Sequence, residues 1–149
     1  MRSGEESGGM GGSGTIELAI PAQPVLLQLV RMTAGVVAAR ADLDLNDVED
    51  LRLAVDELCL PLMGPAGHEG QLLLRYGWDE ESIEISCTMA PGDAAPGNRG
   101  PEQKGQAGRL RDELSSQILD ALVDEHGELT TDGRSGAWLR MRRQRPARG

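Results

Sequence analysis

Phenylalanine is missing from this chain, and one tyrosine and two tryptophans are its only aromatic residues. So few aromatic side chains cannot form the row of platforms on which nucleic-acid bases stack. Positive charge is scarce as well. The net charge is -9, and the last ten residues, RMRRQRPARG, hold five arginines and no acid, which leaves the rest of the chain at -14. Such an acidic body repels phosphate backbones, so direct nucleic-acid binding is not expected, and a basic protein partner suits the charge better. Long apolar runs are lacking too. No stretch approaches the roughly 20 residues of a membrane span, and MRSGEESGGMGGSG at the N-terminus has no apolar signal region. The expectation is a cytoplasmic protein with no membrane partner.

Cysteine is limited to Cys59 and Cys87, with no CxxC and no histidine at ligand spacing. Two buried thiols is the simpler reading. A redox pair is the other, because both lie in apolar segments able to pack together, although sequence does not supply the geometry of a disulfide.

What is present suffices for one ordinary core: 149 residues, 39% of them hydrophobic. Residues 1–14 are Gly, Ser and Glu with little to bury and are expected to be disordered. TIELAIPA, 15–22, alternates Ile16, Leu18 and Ile20 with polar or small residues, as a strand does. A first helix is expected over 24–41, with Pro24 at its start and apolar residues at Leu26, Leu29, Val30, Val36 and Val37. A second follows from Asp47 to Leu60, capped by Asn46, with Val48, Leu51, Val55, Leu58 and Leu62 on one stripe. Gly64, Pro65 and Gly67 mark a loop, and 71–89 reads as a hairpin turning near Asp79. Residues 90–108 form a long Gly- and Pro-rich loop. A third helix is expected over 109–126, with Leu110, Leu114, Ile118, Leu119, Leu122 and Val123 on one side. A hairpin of ELTT and AWLRMR then turns at Asp132 and Gly133, ahead of a basic tail, 143–149. This order predicts one domain over 15–142 of the α+β class: a two-layer sandwich, its mostly antiparallel sheet carrying three helices on one face.

Glu57 stands at the margin of the second helix's apolar stripe, one turn before Pro61. A carboxylate facing a cleft there would do general-base work, accepting a proton from a hydroxyl or orienting a water. The alternative is a plain solvated acid beside Asp50 and Asp56. Spacing alone leaves both open.

DLRLAVDELC, 50–59, together with Arg31 on the first helix and ILDALVDE on the third, resembles the RsbW-type anti-sigma factors, and most of all their actinobacterial branch. Their fold is that of the GHKL serine and histidine kinases, the Bergerat-type ATPases. In active members the second helix carries Glu-x-x-x-Asn. Residues i and i+4 share a helix face, so the glutamate prepares the attacking hydroxyl while the asparagine oxygen holds the magnesium that bridges the ATP phosphates. The resemblance makes Glu57 the general base, but the asparagine position is Pro61, which has no side-chain oxygen and is expected to end or kink the helix. The family's Asp-x-Gly-x-Gly is replaced by Met89, Ala90, Pro91, Gly92 and Asp93, with the acid displaced by four places. Its Gly-Leu-Gly has no counterpart in RLRDELSSQ, where Asp112 and Glu113 would repel phosphate. Gly105, Gly108 and Lys104 are weak substitutes. No metal ligand and no cofactor are therefore expected, ATP with magnesium being the group that an active member would bind.

The resemblance further implies a homodimer that sequesters an alternative sigma factor and is displaced by an anti-anti-sigma protein of the STAS class. Arg31 matches an arginine on the family's partner surface. The function expected is an anti-sigma factor with its kinase lost. The alternatives are an active ATP-dependent serine kinase that phosphorylates its antagonist, and an unrelated α+β interaction domain.

Overall fold

The computed structural model describes residues 12–63, 69–90 and 106–142. Strand β1 (Gly14–Pro21) turns Ile16, Leu18 and Ile20 to one side, as their alternation requires. A single 3-10 turn at Pro24–Leu26 leads into α1 (Leu27–Arg40), with Pro24 at a position whose N–H has no helical partner.

The second helix is longer than expected at both ends: α2 spans Leu45–Met63. Its cap is Asp44 rather than Asn46. Asp44 Oδ1 accepts the backbone N–H of Asp47 at 2.9 Å, the bond an N-cap residue makes three positions on. Pro61 does not end the helix at Leu60. In the last turn a proline forfeits a single N–H bond, and the burial of Met63 and packing of Leu62 against the core hold the turn in place.

Strands β2 (Gln71–Trp78) and β3 (Ser82–Ala90) form the expected hairpin. Asp79 makes its turn: Oδ1 accepts the N–H groups of Glu81 at 2.7 Å and Ser82 at 3.0 Å, and these bonds hold its carboxyl below the usual carboxylate range. Helix α3 (Gln106–Leu122) begins and ends earlier than the expected 109–126, because Glu125 and His126 already belong to β4 (Glu125–Thr131). Strand β5 (Arg134–Arg142) returns through Asp132 and Gly133, whose φ angles of 53° and 75° suit a two-residue hairpin turn.

The sheet order is β1-β2-β3-β5-β4 with every neighbouring pair antiparallel. All three helices pack on one face, so the two-layer α+β architecture is as expected. Leu72, Leu74, Tyr76, Ile83, Ile85, Leu139 and Met141 point into the layer between sheet and helices, against Leu51, Val55 and Leu58 of α2. The Tyr76 hydroxyl donates to the Val30 carbonyl of α1 at 3.0 Å, and burial pushes the phenol's pKa up. The other face of the sheet is polar, with Arg75 on Glu17 and Arg140 between Glu84 and Glu125.

Two helix faces differ from expectation. On α1 the buried residues are Leu27, Val30, Ala34, Val37 and Ala38, while Leu29, Met32 and Val36 are exposed, as is Val25 in the turn before it. On α3 Ser115 and Leu119 are buried, and Leu110, Leu114 and Ile118 look outward. In each case two adjacent stripes have helical spacing, and only packing selects the inner one.

The loop of Gly64, Pro65 and Gly67, residues 91–105 of the Gly- and Pro-rich loop, most of the N-terminal tail and the basic tail lie outside the described residues. Gly14, Ala90 and the segment 106–108 belong to β1, β3 and α3. Among the described residues no helix is long and apolar enough to cross a membrane.

Candidate functional site

The site is a turn of α2 held between two neighbours. Leu51, Ala54, Val55, Leu58 and Cys59 bury one side of the helix, which leaves Asp56 and Glu57 on its two flanks, about 100° apart. Asp56 faces α1. Nη1 of Arg31 donates to both of its carboxylate oxygens at 2.9 Å, with the two side chains 37% and 23% exposed. Glu57 faces α3, where the Ser115 hydroxyl donates to its Oε1 at 2.9 Å. Ser115 is only 6% exposed and Glu57 is half-buried.

Glu57 is therefore not a plain solvated acid; it lies in the seam between α2 and α3. Chemically it is a carboxylate that accepts a hydrogen bond from a hydroxyl, and that hydroxyl is the chain's own. Ser115→Ala would leave a half-buried oxygen without its donor and is expected to destabilise the fold by about 1–2 kcal/mol. Urea titration measures this, and Glu57→Gln, which retains an acceptor for the serine, should lose less. Equal losses would mean that the bond between them contributes little.

Pro61 shares the face of Glu57 one turn on and is half-buried. The helix runs past it, so the carboxylate keeps a helical setting, but the position still supplies no oxygen for a magnesium ion. Among the described residues no group of three or more His, Cys, Asp or Glu side chains is arranged to hold a metal. Pro61 itself therefore adds no ligand on the face of Glu57. Of the glycine-box positions, Met89 and Ala90 end β3, Gly108 lies within α3, and Pro91, Gly92, Asp93, Lys104 and Gly105 lie outside the described residues. Asp112 and Glu113 occupy the second turn of α3.

A groove of about 620 Å³ between Arg75, Trp78, Glu84, Ser86 and Trp138 opens on the sheet face away from the helices. It shares no residue with the Glu57 seam and plays no part in its chemistry.

Arg31, Glu57 and Pro61 are brought onto two adjacent helices, and two further residues join them that spacing does not find. Asp56 lies 25 positions from Arg31 and Ser115 lies 58 from Glu57, so no local period links either pair. The one available hint is that Ser115 falls in phase with Leu119 on α3, a polar residue on an inward line.

Comparison with known proteins agrees with this architecture. Residues 20–143 match the family model of the histidine kinase-like ATPase domain. A serine-protein kinase RsbW from Bacillus velezensis is 36% identical over 73 residues, which is 47% of this chain and 46% of that protein. Its counterparts from Bacillus subtilis and Bacillus pumilus are 34% identical over 73 and 33% over 75 residues, with the same coverage. The matched segment thus spans slightly under half the length of these curated relatives. A match running from the end of β1 through β5 removes the alternative of an unrelated α+β domain: the chain belongs to the histidine kinase-like ATPase domain family, and the serine-protein kinases of the RsbW type are its relatives there.

Proposed function

We propose that this protein is an anti-sigma factor that acts by binding: it sequesters an alternative sigma factor, is released by an anti-anti-sigma protein of the STAS class, works as a cytoplasmic homodimer, and has lost kinase activity. The observation that carries this proposal is the α2 turn, where Glu57 is engaged by the buried Ser115 and Pro61 offers no metal ligand. Phosphoryl transfer depends on positioning and charge neutralisation by the metal, and a base already satisfied by an internal hydroxyl is badly placed to serve an external one.

Helix α1 supports the binding half. Leu29, Met32 and Val36 repeat at spacings of three and four and are 43%, 54% and 56% exposed, and Val25 in the turn just before the helix is 77% exposed. An apolar stripe of this kind on one helix suits the apolar face of a partner helix. Arg31 borders it, held in place by Asp56. The acidic body favours a partner with a basic docking surface.

A serine kinase is the competing function, favoured by the retained Glu57 and by the relatives, which are named serine-protein kinases. ATP with magnesium is plausible for a family of ATPases, so calorimetry decides. The expected result is no heat of binding in the micromolar range, alongside co-purification with a sigma factor. Micromolar ATP affinity together with phosphate transfer to a STAS protein would restore the kinase. Pro61→Asn adds the missing oxygen and tests whether that one position is the defect; because residues 91–108 also lack the glycine boxes, it is expected not to rescue binding.

A further inference from the structure

Cys59 of α2 and Cys87 of β3 meet in the layer between helices and sheet. Both are free and fully buried, and their sulfur atoms are 3.6 Å apart. That is van der Waals contact between two sulfurs, roughly 1.5 Å longer than a disulfide bond. Neither thiol is used by the Glu57 seam, yet Cys59 lies two positions beyond Glu57 and three beyond Asp56 on the same helix.

We propose that Cys59 and Cys87 form a reversible oxidation site, in which a hydroperoxide converts the pair into a disulfide that staples α2 to β3. In the first step one sulfur attacks the peroxide, the O–O bond breaks, and a sulfenic acid forms with release of water (from hydrogen peroxide) or an alcohol. The second sulfur then attacks the sulfenic sulfur, the S–S bond forms, and its hydroxyl leaves as water with the second thiol's proton. Two electrons pass from the two sulfurs to the peroxide. A small dithiol reverses the reaction by exchange.

The surroundings set its speed and selectivity. The hydrogen bond to Cys87 and the burial of the site push the Cys59 thiol's pKa well up, so it stays protonated at neutral pH. Oxidation is accordingly slow and answers a sustained oxidant. A peroxide reaches the fully buried pair only through local opening of the layer, and the sulfenic acid then has a resolving thiol at van der Waals distance before a second protein can reach it. The disulfide would close a loop from residue 59 to residue 87 and fix the turn of α2 that presents Asp56 to Arg31 and Glu57 to Ser115.

The test is hydrogen peroxide treatment of the full native chain, followed by intact mass, non-reducing peptide mapping and melting. Expected are a loss of about 2 Da, a Cys59–Cys87 cross-linked peptide, and a melting temperature raised by about 10 °C that dithiothreitol returns to its starting value. A mass gain without the cross-link, disulfides between chains, or an unreacted protein would each overturn the proposal. The outcome is read from sulfur chemistry in the wild-type chain, so it does not depend on any cysteine variant folding or on the identity of a partner.

Discussion

Arg31→Ala is expected to weaken capture of both proposed partners, a sigma factor and a STAS protein, by roughly 30-fold or more, about 2 kcal/mol, the scale of an arginine anchor at an interface. The guanidinium is partly exposed beside the apolar stripe of α1, and Nη1 is committed to Asp56. Its Nε and Nη2 donors lie outside that pair, on a group whose orientation is already set, so less side-chain freedom is lost when a partner binds. Truncation also leaves Asp56 without its cation and is expected to lower stability by up to about 1 kcal/mol, the range for a partly exposed pair. Arg31→Lys separates the two effects, since an ammonium can still neutralise Asp56 but cannot reproduce the planar fork. Binding measured by fluorescence anisotropy and stability measured by urea titration should therefore fall together in Arg31→Ala and come apart in Arg31→Lys. Full retention of both partners by Arg31→Ala would show that α1 is not their surface.

Gly136→Ala should have the largest effect on the fold itself, about 3 kcal/mol of the 5–15 kcal/mol that holds a typical domain together. Gly136 is buried in β5 opposite Thr88 of β3. A Cβ added there would lie 2.5 Å from the Cys87 carbonyl oxygen and 2.6 Å from Thr88 Cγ2. The first of these is backbone at the centre of the sheet and cannot turn aside, so β3 and β5 would have to separate. Gly77→Ala is the matched control, because a Cβ on Gly77 meets nothing closer than 4.0 Å, the Glu84 carbonyl oxygen. A drop in melting temperature of roughly 10 °C for Gly136→Ala against little change for Gly77→Ala is expected. Equal stability of the two variants would mean that the strand pair relaxes without loss.

Much of the fold is legible in the chain. Alternation of Ile16, Leu18 and Ile20, the apolar runs either side of Asp79, and the Asp132–Gly133 turn each mark an element that forms. These are short-range signals, set by which face a side chain takes and by which residues tolerate a left-handed turn. Pro61 shows where a local rule is overridden. A proline ends most helices, yet α2 continues to Met63 because the ring falls in the last turn and the core holds the residues beyond it. The outward stripes of α1 and α3 illustrate the reverse case, in which periodicity is present but ambiguous. Ala34 and Ala38 face inward on α1, and larger residues face solvent.

The candidate site divides along the same line. Glu57 and Pro61, four residues apart on one helix, are related by local geometry, so the sequence by itself determined that a carboxylate and a proline would share one helix face. Arg31 with Asp56, Glu57 with Ser115 and Cys59 with Cys87 are pairs separated by 25, 58 and 28 positions. Only the packing of α1, α3 and the sheet around α2 decided those contacts, because an ion pair, a hydrogen bond and a thiol contact all act over a few ångströms of space, whatever the distance along the chain.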